Sequence, residues 1–139
     1  MPYEKQLESP EGRKLLSALR RTIGKLSDVT EVIDGFGHTT FKVREKSFVI
    51  AGMGEAGTAI SIKSDLTTQD ALIRRGPYYR TPYIGQHGWI SIDAPLSHDW
   101  SEVEELIADG YGLVASKRAT ARTRRATPPA KKKPARKKR

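Results

Sequence analysis

The stretch TTFKVREKSFVIAGMGEAGTAISIK, residues 39–63, decides the fold class of this chain. Apolar and polar side chains alternate along its first part, so that Phe41 and Val43 share one face of an extended segment. Two further runs rich in β-branched and aromatic residues, 47–51 and 58–63, are joined by glycine-rich turns. The stretch therefore predicts an antiparallel meander of half-buried strands.

A helix and further strands are predicted on either side of this meander. Ser9 is a good N-cap, Pro10 suits the first helical position, and apolar residues recur at helical spacing as far as Leu26. Residues 29–34 alternate weakly and residues 89–93 alternate clearly, as expected of strands. These patterns place a helix before the sheet and add two strands to it.

Two more helices are predicted in the second half of the chain. Thr67 or Thr68 can cap a short helix that stops at Gly76, which precedes a proline. Ser101 and Glu104 have the spacing of a capping box, and an apolar stripe follows them. The order of elements predicts an α+β fold, with an antiparallel sheet flanked by N- and C-terminal helices.

Charge divides the chain into two parts. The 139 residues carry a formal charge of +9. Residues 117–139 hold twelve of the 25 basic residues and no acidic one, which leaves thirteen basic against sixteen acidic residues, or −3, in residues 1–116. We expect one folded domain over 1–116 and a disordered tail over 117–139, because the tail has almost no apolar surface and its charges repel. The tail cations are Lys117, Arg118, Arg122, Arg124, Arg125, Lys131, Lys132, Lys133, Arg136, Lys137, Lys138 and Arg139.

This tail is the strongest functional signal in the sequence. A solvated surface usually mixes charges of both signs, whereas unpaired Lys/Arg clusters separated by proline and alanine suit the phosphates of nucleic acid. A purely solubilising tail is the alternative. Within the domain, Lys42, Arg44 and Lys46 form a basic cluster on the first hairpin. This cluster either extends the phosphate-binding surface or only keeps a strand edge soluble.

The composition excludes several classes of protein. There is no cysteine, hence no disulfide framework and no thiolate metal site. No apolar run is long enough to span a bilayer and the first residues lack a signal-peptide core, so we expect a soluble, cytoplasmic protein without a membrane partner. The histidines, His38, His87 and His98, lack the spacing of metal ligands. We predict neither a metal nor a cofactor.

Two motifs suggest enzymes but lack the required context. Gly52, Gly54 and Gly57 spell the dinucleotide-binding pattern, yet an alternating β-branched segment follows instead of a helix. A hairpin turn is therefore the better interpretation of these glycines. The Ser-His-Asp run at 97–99 is local, whereas a catalytic triad converges in space, and Asp99 is better explained by helix entry. We predict no catalytic residues.

An aromatic passage follows the second predicted helix. Its rings either cover the end of the sheet or present stacking faces and hydrogen-bond donors to a base, a peptide or a small ligand. Both interpretations remain open at the level of sequence. The candidate partner surface comprises Tyr78, Tyr79, Arg80, Tyr83, His87 and Trp89.

The chain resembles the MmcQ/YjbR family of small bacterial proteins in three segments. These are HTTFKVREKSFVI at 38–50, TPYIGQHGWISID at 81–93 and WSEVEELIADGYGLVASK at 100–117. The resemblance covers residues 1–117 and implies a CyaY-like or double-wing fold with a DNA-binding role. The iron handling of the related frataxin branch is not implied, because the first helix is mainly basic here. The tail lies outside the family pattern and resembles the Lys/Ala/Pro tails of nucleoid-associated proteins.

Together these observations predict a non-enzymatic, nucleoid-associated DNA-binding protein of the bacterial cytoplasm. The tail would bind the phosphate backbone with little sequence preference, and the domain would assist it. A small ligand- or protein-binding module that its tail tethers to nucleic acid is the alternative. The choice between DNA and RNA and the oligomeric state stay open in this prediction.

Overall fold

A computed structural model describes residues 6–54 and 56–126, with side chains from Leu7 to Ala115. Within these residues there are three α-helices and six β-strands. In chain order they are α1 Pro10–Ile23, β1 Val29–Ile33, β2 Thr39–Val43, β3 Lys46–Gly54, β4 Gly57–Ile62, α2 Leu66–Arg75, β5 Tyr79–Arg80, β6 Ile90–Asp93 and α3 Trp100–Ala126. Short 3-10 turns at Gln6–Glu8, Gly85–His87 and Pro95–Ser97 connect them.

The strands form one antiparallel sheet in the order β1-β2-β3-β4-β6-β5. Strands β1 to β4 are the predicted meander, each paired with its neighbour in sequence. Strand β6 returns to pair with β4, and the two-residue β5 adds the far edge. The α+β class, the antiparallel sheet and the terminal helices are therefore confirmed.

The core lies between one face of the sheet and helices α1 and α3. Alternation along the strands places every second side chain on this face, and the helices contribute their apolar stripes. The largest fully buried side chains are Phe41, Phe48, Leu15, Leu19, Ile60, Ile62, Ile90, Ile92, Ile107, Val43, Val49 and Val103.

A β-bulge interrupts the alternation in β3. The register between β2 and β3 shifts between Phe41 and Lys42, which leaves Phe48 as the extra residue. Phe48 and its neighbour Val49 are consequently both fully buried. The ring of Phe48 meets the edge of Tyr111 on α3 at a centroid distance of 5.6 Å. The bulge thus adds an aromatic contact that a regular strand would not provide.

The start of α1 agrees with the sequence prediction. The Ser9 hydroxyl accepts a hydrogen bond from the Gly12 N–H at 3.0 Å, and Pro10 is the first helical residue. The helix ends at Ile23, three residues before the predicted end at Leu26. Leu26 still packs against the core from the loop that follows. Its apolar side chain therefore contributes to the core without belonging to the helix.

The caps of the other two helices differ from the predictions. Asp65, not Thr67 or Thr68, caps α2, and its Oδ1 accepts from the Thr68 N–H at 2.8 Å. Asp99 lies one residue before α3 and accepts from the Glu102 N–H at 3.3 Å. Asp99 is therefore the cap of α3, and the capping box predicted at Ser101 is wrong. Several Ser, Thr and Asp residues stand at each boundary, and the backbone path into the helix decides which of them caps.

Helix α3 extends beyond the predicted domain boundary. Its last core residue is Val114, yet helical backbone continues to Ala126, ten residues past Ser116. No proline interrupts the segment, and alanine and arginine are good helix formers that prolong a helix already nucleated by packing. The rest of the predicted disordered tail, residues 127–139, lies outside the described residues. Among the described helices, none combines the length and apolar character needed to cross a bilayer.

Two glycines of α3 allow a test of its packing. A Cβ on Gly110 would lie 2.5 Å from the Lys63 carbonyl oxygen, whereas a Cβ on Gly112 would meet nothing within 4 Å. We expect Gly110→Ala to lower the free energy of unfolding by about 1–3 kcal/mol, because the helix must move away from the sheet. Gly112→Ala, the matched control, should raise it by up to about 1 kcal/mol through helix propensity. Thermal unfolding of both variants measures the difference, and equal effects would contradict the close contact.

Candidate nucleic-acid interface

The predicted basic cluster lies at one end of the sheet, which we call the hairpin end. Here β2 ends at Val43, β3 begins at Lys46, and β1 begins at Val29 opposite Val43. The two connecting residues, Arg44 and Glu45, both have positive φ, +55° and +126°. This geometry is typical of a tight two-residue hairpin. The turn therefore holds the basic cluster at a defined position on the domain.

Arg44 is already engaged by a carboxylate. Its Nη2 lies 3.3 Å from Oδ2 of Asp28, in an exposed ion pair. Asp28 also has a positive φ, +63°, a conformation that Asp and Asn tolerate better than most residues. An exposed pair of this kind contributes little stability. Arg44 can consequently exchange Asp28 for another anion at low cost.

The other two members of the cluster point to different sides of the sheet. Lys42 lies opposite Ser47 and outside the buried core, on the face away from the helices, and it is half-buried. Lys46 pairs with Val43 at the very end of the hairpin and is exposed. The structure therefore brings these cations to the same end of the domain without placing them on one flat surface.

Helix α3 leaves the domain at the hairpin end. The Tyr111 hydroxyl donates to the Ser27 carbonyl at 2.9 Å, and the Tyr111 ring packs on Phe48. Gly110 lies against the Lys63 carbonyl at the end of β4. The first predicted tail cations, Lys117, Arg118, Arg122, Arg124 and Arg125, belong to the α3 segment beyond this point. The remaining ones, Lys131, Lys132, Lys133, Arg136, Lys137, Lys138 and Arg139, lie outside the described residues.

The aromatic passage divides into buried and exposed residues. Tyr78 is 4% exposed and Trp89 is 8% exposed. The Tyr78 hydroxyl donates to Glu102 at 3.1 Å, and Arg75 contacts the same carboxylate through two nitrogens at 2.7 and 2.8 Å. Burial, followed by the Glu102 charge, raises the pKa of Tyr78, while the hydrogen bond from Arg75 lowers the pKa of Glu102. This cluster joins α2 to α3, and burial leaves neither Tyr78 nor Trp89 available as a surface.

Tyr79 is intermediate between these groups. The residue is 38% exposed on the edge strand β5, and its hydroxyl donates to Oδ1 of Asp93 at 2.6 Å. Partial burial and this hydrogen bond raise the pKa of Tyr79 to about 12. Tyr83, Arg80 and His87 are exposed, and Tyr83 has a positive φ of +68°. The available partner surface is therefore made of these three residues and the edge of Tyr79.

Gln69 supports this loop and was missed by sequence reasoning. It is the buried residue of α2, and its Nε2 donates to the carbonyls of Gly85 at 2.7 Å and Trp89 at 2.8 Å. These bonds tie the middle and the C-terminal end of the loop formed by residues 81–88 to the helix. A helical glutamine is most often exposed, so the sequence carries no signal for this role. We call residues 81–88 the aromatic loop.

The glycine motif and the Ser-His-Asp run both have structural explanations. Gly54 pairs with Gly57 across the β3–β4 hairpin, and a strand follows, which confirms the turn interpretation. Asp99 caps α3, and His98 is exposed. His38 contacts the Asp34 carboxylate at 3.2 Å in the β1–β2 turn. Within the part of the chain that the structure describes, no group of three or more His, Asp or Glu residues could hold a metal ion.

A groove of about 470 Å³ lies between α1 and the β1 edge of the sheet. Its charged walls are already paired, since Arg20 contacts both carboxylate oxygens of Glu31 at 2.9 and 2.6 Å. The Arg13 Nε donates to the Glu8 carbonyl at 2.9 Å. A small anionic ligand would have to displace these partners, so the groove offers no ready-made site.

Comparison with known proteins agrees with this fold. A family model described as YjbR matches residues 24–113, which span all six strands and most of the packed part of α3. The crystal structure of Deinococcus radiodurans protein DR2400, with the family-model domain DUF419, is similar at a TM-score of 0.65 and 20% identity, over 82% of this chain and 88% of that chain. At that identity the similarity concerns the fold alone. No curated protein matches the sequence.

The role of Gln69 can be tested by replacing its amide with a carboxylate. Gln69→Glu replaces the amide donor by a carboxylate that faces the Gly85 and Trp89 carbonyls. We expect a loss of about 1–3 kcal/mol in the free energy of unfolding at neutral pH, with partial recovery at low pH as the buried carboxyl protonates and can donate. Gln86→Glu, the same change at an exposed position of the aromatic loop, should leave stability unchanged. Denaturant unfolding at several pH values makes the comparison, and similar curves for both variants would contradict the supporting role.

Proposed function

This chain belongs to the YjbR family and has the fold of that family, and we propose that it is a non-enzymatic DNA-binding protein. In this proposal the basic C-terminal segment binds the phosphate backbone, and the hairpin end of the domain provides a second contact. Such a protein would reside at the nucleoid in the bacterial cytoplasm.

The distribution of charge supports the tail as the principal contact. Residues 117–139 carry +12, whereas residues 1–116 carry −3. A domain of net negative charge repels DNA at long range, so attraction has to come from the tail. Each phosphate that a Lys or Arg neutralises releases a counterion, which makes such binding sensitive to salt and tolerant of sequence.

The single observation that carries the proposal is the exit of α3 at the hairpin end. Tyr111 and Gly110 fasten the last core turns of α3 beside Phe48 and Lys63. The basic segment therefore starts next to the turn that bears Arg44 and Lys46. A duplex held by the tail would come within reach of these cations, which suit backbone contacts that require no base-specific geometry.

Removal of the tail should abolish most duplex binding. A chain ending at Ser116 retains Val114, the last core residue of α3. If six to ten tail cations contact phosphates, the full chain should show a log-log salt slope of roughly −5 to −9. A full-length control with glutamine at the basic positions of 131–139 should have a slope shallower by roughly 0.9 for each phosphate that is no longer neutralised. Titration of a labelled duplex at several salt concentrations tests this, and equal affinity of the truncated chain would refute it.

The hairpin contact is tested by releasing Arg44. Asp28→Asn removes the carboxylate that engages Arg44, and asparagine tolerates the positive φ at this position. We expect tighter duplex binding and a salt slope steeper by roughly 0.9, because Arg44 becomes free to contact a phosphate. The effect should vanish in an Arg44→Ala background.

Asp70→Asn is the matched control for this experiment. It makes the same charge change in another exposed ion pair, with Arg74 at 3.1 Å on α2. It should change affinity less than Asp28→Asn, since only the general repulsion is reduced. Equal gains from both variants would show that Arg44 does not contact DNA.

A further inference from the structure

Tyr83 is the most exposed large hydrophobic residue in the part of the chain that the structure describes. Its residue surface is 96% exposed, and its backbone has a φ of +68°. Positive φ is costly for a bulky residue and persists only where the surroundings impose it. No hydrophobic gain compensates here, because the ring is in water. The fold therefore holds an aromatic face outside the domain at a conformational cost.

The aromatic loop beneath Tyr83 is rigidly supported. Gln69 binds the Gly85 and Trp89 carbonyls from α2. The Arg80 side chain lies directly over Gly85, where a Cβ would have no room. Backbone bonds from Gly85 to Thr81 at 2.9 Å and from Gly88 to Gly85 at 2.9 Å close the loop on itself. A ring on such a support loses little freedom when it binds a partner.

The aromatic loop adjoins the proposed backbone contacts. The Lys63 Nζ donates to the His87 carbonyl at 2.7 Å, which places the aromatic loop beside the end of β4. The Lys63 N–H in turn donates to the Phe48 carbonyl at 2.9 Å, two residues from Lys46. The hairpin, the exit of α3 and the aromatic loop thus follow one another along the hairpin end.

We propose that Tyr83 stacks on a base of single-stranded nucleic acid. The proposal rests on the proposed function and names the form of nucleic acid that the same end of the domain prefers. Stacking on an aromatic ring requires no particular base, in keeping with sequence-tolerant binding. In a duplex the base faces are covered by their neighbours and only the edges are accessible in the grooves. Tyr83 should therefore discriminate single strands, bulges and ends from intact duplex.

The experiment compares a labelled single strand of about 20 nucleotides, longer than the ~4–16 nucleotides that one binding fold usually covers, with its duplex. Fluorescence anisotropy with the full chain at near-physiological salt gives both affinities. Tyr83→Ala should weaken single-strand binding by about five- to a hundred-fold and duplex binding by less than about two-fold. Tyr83→Trp should preserve the single-strand affinity. Thermal unfolding of Tyr83→Ala should match that of the wild type, because the ring is exposed.

Phe36 provides the matched control. It is 58% exposed in the β1–β2 turn, at the end of the sheet opposite to the hairpin end. Phe36→Ala removes another exposed aromatic ring and should leave both affinities unchanged. If Phe36→Ala and Tyr83→Ala weaken single-strand binding alike, the proposed stacking site is refuted.

The outcomes separate this inference from the proposed function. If Tyr83→Ala changes neither affinity while glutamine substitution of the cations of 131–139 lowers both, Tyr83 makes no base contact and the tail-based function stands. An equal loss on strand and duplex would make Tyr83 a general contact and refute the stacking. If the full chain binds neither probe, both proposals fail.

Discussion

Helix α3 approaches the end of β4 so closely that only a glycine fits at position 110, where a Cβ would lie 2.5 Å from the Lys63 carbonyl oxygen. The next residue, Tyr111, packs edge-on against Phe48. These contacts close the core at the hairpin end and fix where α3 leaves the domain. The place at which the basic segment begins is therefore decided by core packing and not by charge.

At the hairpin end, the basic side chains of the domain are only partly available to an anion. Arg44 is paired with Asp28, Lys42 is half-buried, and Lys46 is exposed. Such a surface has little attraction for an anion by itself, and the domain as a whole is net negative. Affinity for nucleic acid would then be set by the length and charge of the tail, while the domain contributes position.

The aromatic passage illustrates how a fold assigns different roles to similar residues. Tyr78 and Trp89 are buried, and the bond to Glu102 makes Tyr78 part of the contact between α2 and α3. Tyr83, five residues further than Tyr78, is almost fully in water. Between Tyr83 and Trp89 the chain is held by Gln69, which donates to the carbonyls of Gly85 and Trp89. Neither the buried glutamine nor the positive φ of Tyr83 has a local signature.

The sequence by itself determined the main secondary-structure elements except β5 and the end of α3, the meander, the antiparallel α+β class and the separation of charge, because alternation, helical spacing and composition are local properties. It also excluded a dinucleotide site at Gly52–Gly57, since a strand pattern follows the glycines. Only the tertiary structure decided which residues cap α2 and α3, that Phe48 is buried in a bulge, and which aromatic rings reach solvent. These outcomes depend on contacts between residues far apart in sequence, such as Tyr111 with Ser27 or Gln69 with Trp89. A pattern along one segment cannot predict such contacts, because their energy depends on both contacting residues and these are far apart in sequence.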